Sequence, residues 1–128
     1  MAHQVIQTDH APAAIGPYSQ AIRVDKWLFV SGQIGFLAAT GQLVGEQLSE
    51  QATQALQNMR QILEAAGFGL DEVVSVDVFL VDITQFGSFN SIYENFFGAH
   101  KPARAVVEVK GLPRGALVEI KCVACKNA

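Results

Sequence analysis

The chain has 128 residues, half of them hydrophobic and 16% charged, which fits one compact domain over 1–128 and excludes a disordered interaction segment. A formal charge of −3 and an isoelectric point near 5.5 provide no positive field for holding nucleic acid or an anionic membrane. The opening residues, Met1-Ala2-His3-Gln4, lack a charged n-region and a long apolar h-region, and no later run of about 20 residues is free of polar side chains, so a cytoplasmic protein is expected.

No repeat, low-complexity tract or linker divides the chain. Gly16-Pro17 marks a turn, after which Ser19 to Val24 and Trp27 to Gln33 read as two strands of a hairpin joined by Asp25-Lys26. Gly35 to Gly45 reads as a loop turning at Thr40-Gly41. Its glycines, with Gly32, lack the lysine of a phosphate loop and the strand-to-helix setting of a dinucleotide fingerprint, so no nucleotide cofactor is expected.

Between Ser49, the expected N-cap, and Gly67, the expected C′ residue, Ala52, Ala55, Leu56, Met59, Ile62, Leu63 and Ala66 recur at helical spacing. Val73 to Val81 then reads as a strand, with Val74, Val76, Val78 and Leu80 pointing one way and Val73, Phe79 and Val81 the other, both faces being expected to be buried. A second helix follows, opened by Asp82 and Gln85 at capping-box spacing and carrying Phe86, Phe89, Tyr93, Phe96 and Phe97 as a core stripe. Arg104 to Val109 and Leu117 to Cys125 close the chain as strands linked through Gly111-Leu112-Pro113-Arg114-Gly115.

The order β-β-α-β-α-β-β predicts an α+β fold with two helices on one face of the sheet. Two helices cover only one face, while the central strand is apolar on both. A second copy of the chain is the expected cover, which predicts a homo-oligomer.

Alternation on the last two strands assigns Ala105, Val107, Val109, Val118, Ile120, Cys122 and Ala124 to the helix-covered face, and Arg104, Glu108, Glu119 and Lys121 to the other. Arg104 and Glu119 at a subunit seam have two readings. One is a plain inter-strand or inter-subunit ion pair. The other is a site in which the guanidinium fork grips a carboxylate and the glutamate positions or deprotonates a water. His3, His10 and His100 show no triad spacing and read as solvated. Cys122-Val123-Ala124-Cys125 is a literal C-x-x-C, but at the end of a strand its two thiols point to opposite faces, and no second Cys/His cluster completes a metal site.

The chain resembles, over nearly its whole length, the RidA family of enamine/imine deaminases, formerly called YjgF proteins or translation initiation inhibitors. The resemblance is carried by Ala14-Ile15-Gly16-Pro17-Tyr18-Ser19-Gln20-Ala21, Ser31-Gly32-Gln33, Phe89-Asn90-Ser91-Ile92-Tyr93, Pro102-Ala103-Arg104, Leu112-Pro113 and Val118-Glu119-Ile120, in that order. It implies a chorismate-mutase-like fold, assembled as a homotrimer with three clefts between subunits. It also implies that Arg104 binds the substrate carboxylate, Tyr18 and Ser31 line the cleft, Asn90 supports it, the backbone at Gly32 and Val106 helps hold the carboxylate, and Glu119 orients the attacking water.

The implied substrates are 2-imino acids and their enamine tautomers, such as 2-iminobutanoate and 2-iminopropanoate, hydrolysed to 2-keto acids and ammonia without a metal or organic cofactor. Two positions depart from the family. Val106 stands where many relatives carry Cys, and Lys121 where many carry a second acid. Two other functions stand beside the deaminase: a small-carboxylate-binding or regulatory module without turnover, and RNA cleavage or translation inhibition, against which the acidic charge argues.

Overall fold

The computed structural model describes residues 3–127. Six strands and two helices appear in the order β1 (Gln4–Ile6), β2 (Ala21–Val24), β3 (Trp27–Gln33), α1 (Leu48–Ala65), β4 (Val73–Leu80), α2 (Phe86–Phe97), β5 (Ala103–Glu108) and β6 (Val118–Cys125). They form one sheet of order β1-β2-β3-β6-β4-β5. Neighbours are antiparallel except β4 and β5, which run parallel because α2 carries the chain back between them. The expected α+β architecture is present, with β1 added. Its three residues are too few to show a period, and only Ile6 among them is buried.

Both helices lie on one face. From α1, Ala52, Ala55, Leu56, Met59, Ile62 and Leu63 are buried where the helix packs on β6, with Val118, Ile120, Cys122 and Ala124, and on β3, with Leu28 and Val30; Val76, Val78 and Leu80 of β4 belong to the same core. The helix starts at Leu48 with Gln47 as its cap, not Ser49, because burying Leu48 draws one more residue into the first turn. The Glu50 carboxylate accepts the Gln47 N–H at 3.2 Å. Gly67 is the expected C′ residue at φ 83°, and the Phe68 N–H then donates back to Leu63 O at 2.9 Å. Asp82 accepts from the Thr84 N–H at 3.0 Å and opens a 3-10 turn, so Asp82 and Gln85 do not close a capping box. Gln85 instead stands as the N-cap position of α2.

Two buried amides on α1 pin the long connections. Gln51 donates to Gly45 O at 2.9 Å and accepts from the Leu117 N–H at 2.8 Å. Asn58 donates to Ile34 O and Phe36 O at 3.1 and 2.8 Å. Each supplies partners to backbone groups that a loop packed on a helix would otherwise leave bare.

Two expected face assignments are corrected. On β4, Val73 and Ser75 lie two apart yet pair with Ala124 and Val123, which are adjacent. This bulge reverses the alternation, so Val73 is buried in the core and Val74 is exposed. On β5, Arg104 pairs with Val76, Val106 with Val78 and Glu108 with Leu80, all on the helix-covered side. Ala105 and Val107 therefore point to the open face. Assigning apolar residues to the helix side failed because the open face is itself apolar.

That open face carries Trp27 and Phe29 from β3 and Val107 from β5, at 41, 48 and 45% exposure, while Phe79 of β4 is only half-buried. Such a surface needs a cover. No helix among the described residues is long and apolar enough to cross a membrane.

Candidate functional site

Arg104 projects from β5 toward the N-terminal half of α2. Its guanidinium carbon lies 4.6 Å from the centroid of the Tyr93 ring and 5.6 Å from that of Phe86, and Nη1 donates to Asn90 Oδ1 at 2.8 Å. Residues 86, 90 and 93 are spaced four and three apart, which puts them in one row on the helix. Phe86, Asn90 and Tyr93 are thus a cradle made by a single element. Burial pushes the Tyr93 hydroxyl up to about 12, Arg104 working against that rise, so the group stays neutral and offers the cation a ring face.

The cradle orients the guanidinium without neutralising it. Among the described residues the ion pairs join Arg60 to Glu64 and Lys126 to Glu72; neither involves Arg104 or Glu119. The inter-strand form of the expected ion pair between Arg104 and Glu119 is absent. With one N–H given to Asn90, the rest of the fork faces a cavity of about 350 Å³ bordered by Lys101, Pro102 and His100. His100 is half-buried, contrary to the solvated reading, with Nε2 donating to Val73 O at 2.7 Å.

Glu119 sits on the opposite side of the sheet, paired with Phe79. It shares a second cavity, about 660 Å³, with Tyr18, Ser31, Gly32, Arg114 and Lys121. Burial raises the Glu119 carboxyl above its ordinary 4.5, while Lys121 on the same strand face opposes the rise. A Cβ at Gly32 would stand 2.8 Å from the Glu119 carboxyl carbon, so glycine is what lets the carboxylate lie against β3. Ser31 donates its hydroxyl to Ser19 O at 2.6 Å, leaving its oxygen as an acceptor. The segment bearing Tyr18 is tied by Gln20, which donates to Pro12 O at 2.8 Å and accepts from the Thr8 N–H at 2.7 Å.

Tyr18, Ser31, Gly32 and Glu119 are therefore brought together, as are Arg104 and Asn90, with Val106 half-buried beside Arg104 on the same face. The two groups lie on opposite faces of one sheet, which corrects the expectation that Arg104 and Glu119 share a face. Tyr93 is buried in the core as expected and also offers its ring face to Arg104, whereas Phe86, expected in the same stripe, is 38% exposed; sequence reasoning missed the contact of both rings with Arg104, and read Arg114 as part of a link. An asparagine interrupting an aromatic stripe was the available signal for that contact.

No group of three or more His, Cys, Asp or Glu among the described residues is placed to hold a metal ion. Cys122 and Cys125 are free thiols; burial pushes Cys122 up to about 12.

A family model described as Endoribonuclease L-PSP matches residues 8–126. The chain is 49% identical over 124 residues to the mouse protein named 2-iminobutanoate/2-iminopropanoate deaminase, covering 97% of this chain and 92% of that one. A solved structure from Yersinia pestis, described as a protein of unknown function of the conserved Rid protein family, superposes with a TM-score of 0.95 at 43% identity, covering 98% of this chain and 100% of that one. The structure of E. coli TdcF with bound serine superposes with a TM-score of 0.93 at 34% identity, covering 97 and 99% of the two chains.

Proposed function

Because this chain belongs to the endoribonuclease L-PSP family, the family of the RidA proteins, we propose that it is a cytoplasmic deaminase hydrolysing 2-imino acids such as 2-iminobutanoate and 2-iminopropanoate to 2-keto acids and ammonia. The observation that carries the reading is the Arg104 guanidinium, oriented by Asn90, Tyr93 and Phe86 and paired with no carboxylate. The deaminase name of the mouse relative and the amino acid held by TdcF support the same ligand class.

Arg104 grips the substrate carboxylate with its free N–H groups, and the backbone near Gly32 and Val106 completes the grip. Glu119 accepts a proton from water as the water oxygen bonds to the imine carbon. The carbon–nitrogen π pair moves to nitrogen, which takes up a proton and gives a carbinolamine. The hydroxyl proton then passes, relayed by Glu119, to the amine nitrogen; as C=O forms, the carbon–nitrogen bond breaks with its electron pair going to nitrogen, and ammonia departs. Each step moves protons and electron pairs only, so the proposal calls for no cofactor. Tyr18 and Ser31 line the cleft around the side chain.

One chain holds Arg104 and Glu119 on opposite faces of its sheet, so a substrate touching both needs two copies. The proposal therefore includes a homotrimer whose clefts combine Arg104 and Asn90 of one subunit with Glu119, Tyr18 and Ser31 of the next. The apolar open face supports such an assembly. The test couples purified protein to a dehydratase that releases 2-iminobutanoate. Faster loss of the imine supports the reading, whereas an unchanged rate, or an undiminished rate in Arg104→Ala, rejects it.

The matched family's description favours a second reading, RNA cleavage. The charge of −3 opposes it. RNA degradation that follows the protein through purification and is lost in a Glu119 variant would establish it.

A further inference from the structure

Pro113 to Ala116 forms a tight turn in which the Ala116 N–H donates to Pro113 O at 3.1 Å. Both of its central residues have positive φ, 60° at Arg114 and 71° at Gly115. A turn of this kind takes Asn or Gly at the first central position, because a longer L side chain there crowds its own backbone. Arginine is poorly suited to that place. Residues kept in such conformations are a reason to look for a role.

The Arg114 guanidinium lies over the Phe36 ring, 5.3 Å from its centroid. It lines the 660 Å³ cavity that contains Glu119, Tyr18 and Ser31. Neither ion pair among the described residues involves Arg114. The charged groups on that wall are Arg114, Lys121 and Glu119, two cations to one carboxylate. A substrate held by its own carboxylate at Arg104 leaves the Arg114 fork unmatched.

Resting on the deaminase reading, we propose that Arg114 reads a second carboxylate, so that the preferred substrates are 2-imino acids whose side chain itself ends in a carboxylate, the class derived from acidic amino acids. The planar fork matches a carboxylate in two hydrogen bonds, and stacking on Phe36 fixes its plane before the ligand arrives. The strained turn aims the side chain at the cavity, where Asn or Gly would relieve the backbone and lose the fork.

Calorimetry with two keto acids of equal chain length tests this directly: 2-oxoglutarate, which has the terminal carboxylate, and 2-oxopentanoate, which lacks it. Wild-type protein should bind 2-oxoglutarate about tenfold more tightly or better. Arg114→Asn suits the turn, so its melting temperature should be no lower than wild type, and the preference should disappear. Lys121→Gln should keep most of it, because Lys121 adds general charge and no fork. Equal binding of the two acids by wild type overturns this inference alone, as does a preference that survives Arg114→Asn or is lost equally in Lys121→Gln. Binding of neither acid overturns the deaminase cleft together with it.

Discussion

Aromatic rings two turns apart on α2 hold the Arg104 guanidinium without cancelling its charge, which is the state a carboxylate receptor needs. Arg104→Ala should lower kcat/KM on 2-iminobutanoate by about a hundredfold or more, with the far-ultraviolet spectrum and oligomer mass unchanged. Glu119 adds a pH signature. Its folded value lies above the ordinary 4.5 because burial disfavours the ion, so the folded chain keeps this proton to higher pH than the unfolded chain does. The stability linked to the group is full below the unfolded value and is lost as pH rises through the folded one. Glu119→Gln should therefore melt higher than wild type at about pH 8 and converge with it near about pH 4. In the proposed mechanism the ionised form accepts the proton, so kcat/KM should show an acid limb above 4.5 that is missing in the variant. Arg104 and Glu119 were legible through the motifs around them. The contact of Phe86 and Tyr93 with Arg104 was not, because an aromatic on a helical stripe reads the same whether it only packs on a core, as Tyr93 also does, or lies beneath a cation. Arg114 was hidden for another reason: a backbone angle leaves no mark in composition or period.

Among the elements, β4 gives the sharpest check of the fold, since its bulge exchanges two adjacent valines. Val73→Asp places an unpaired carboxylate in the core and should cost about 3 kcal/mol or more, while Val74→Asp should change stability by less than about 1 kcal/mol. Equal effects in urea unfolding would show that plain alternation holds. Gln51→Ala on α1 strips partners from Gly45 O and the Leu117 N–H and should destabilise by about 2 kcal/mol in the same assay. The hairpin at Asp25-Lys26, the body of α1 and the strand character of β4 to β6 were readable from period and turn residues, because each depends on local spacing. The bulge, the three-residue β1 and the direction of β5 were not. Those follow from pairing with distant partners, and on β5 both faces offer apolar surroundings, so hydrophobicity does not choose between them.

At the scale of the whole molecule, the helices cover one side of the sheet and leave Trp27, Phe29 and Val107 on the other. A self-associating chain covers that surface at the lowest cost in new sequence, since one face serves every copy. Light scattering should give three times the chain mass of 13.8 kDa. Phe29→Asp should lower that mass and abolish deaminase activity together, because in the proposed trimer the contacts that cover the face also complete the cleft. The most direct measurement mixes two variants that the proposal expects to be inactive, Arg104→Ala and Glu119→Ala, by co-expression in equal amounts and assays imine hydrolysis. If Arg104 of one copy works with Glu119 of its neighbour, random trimers regain about a quarter of wild-type activity, since that share of clefts draws an intact residue from each side. Activity no higher than that of either parent, in trimers shown to contain both chains, contradicts the shared cleft.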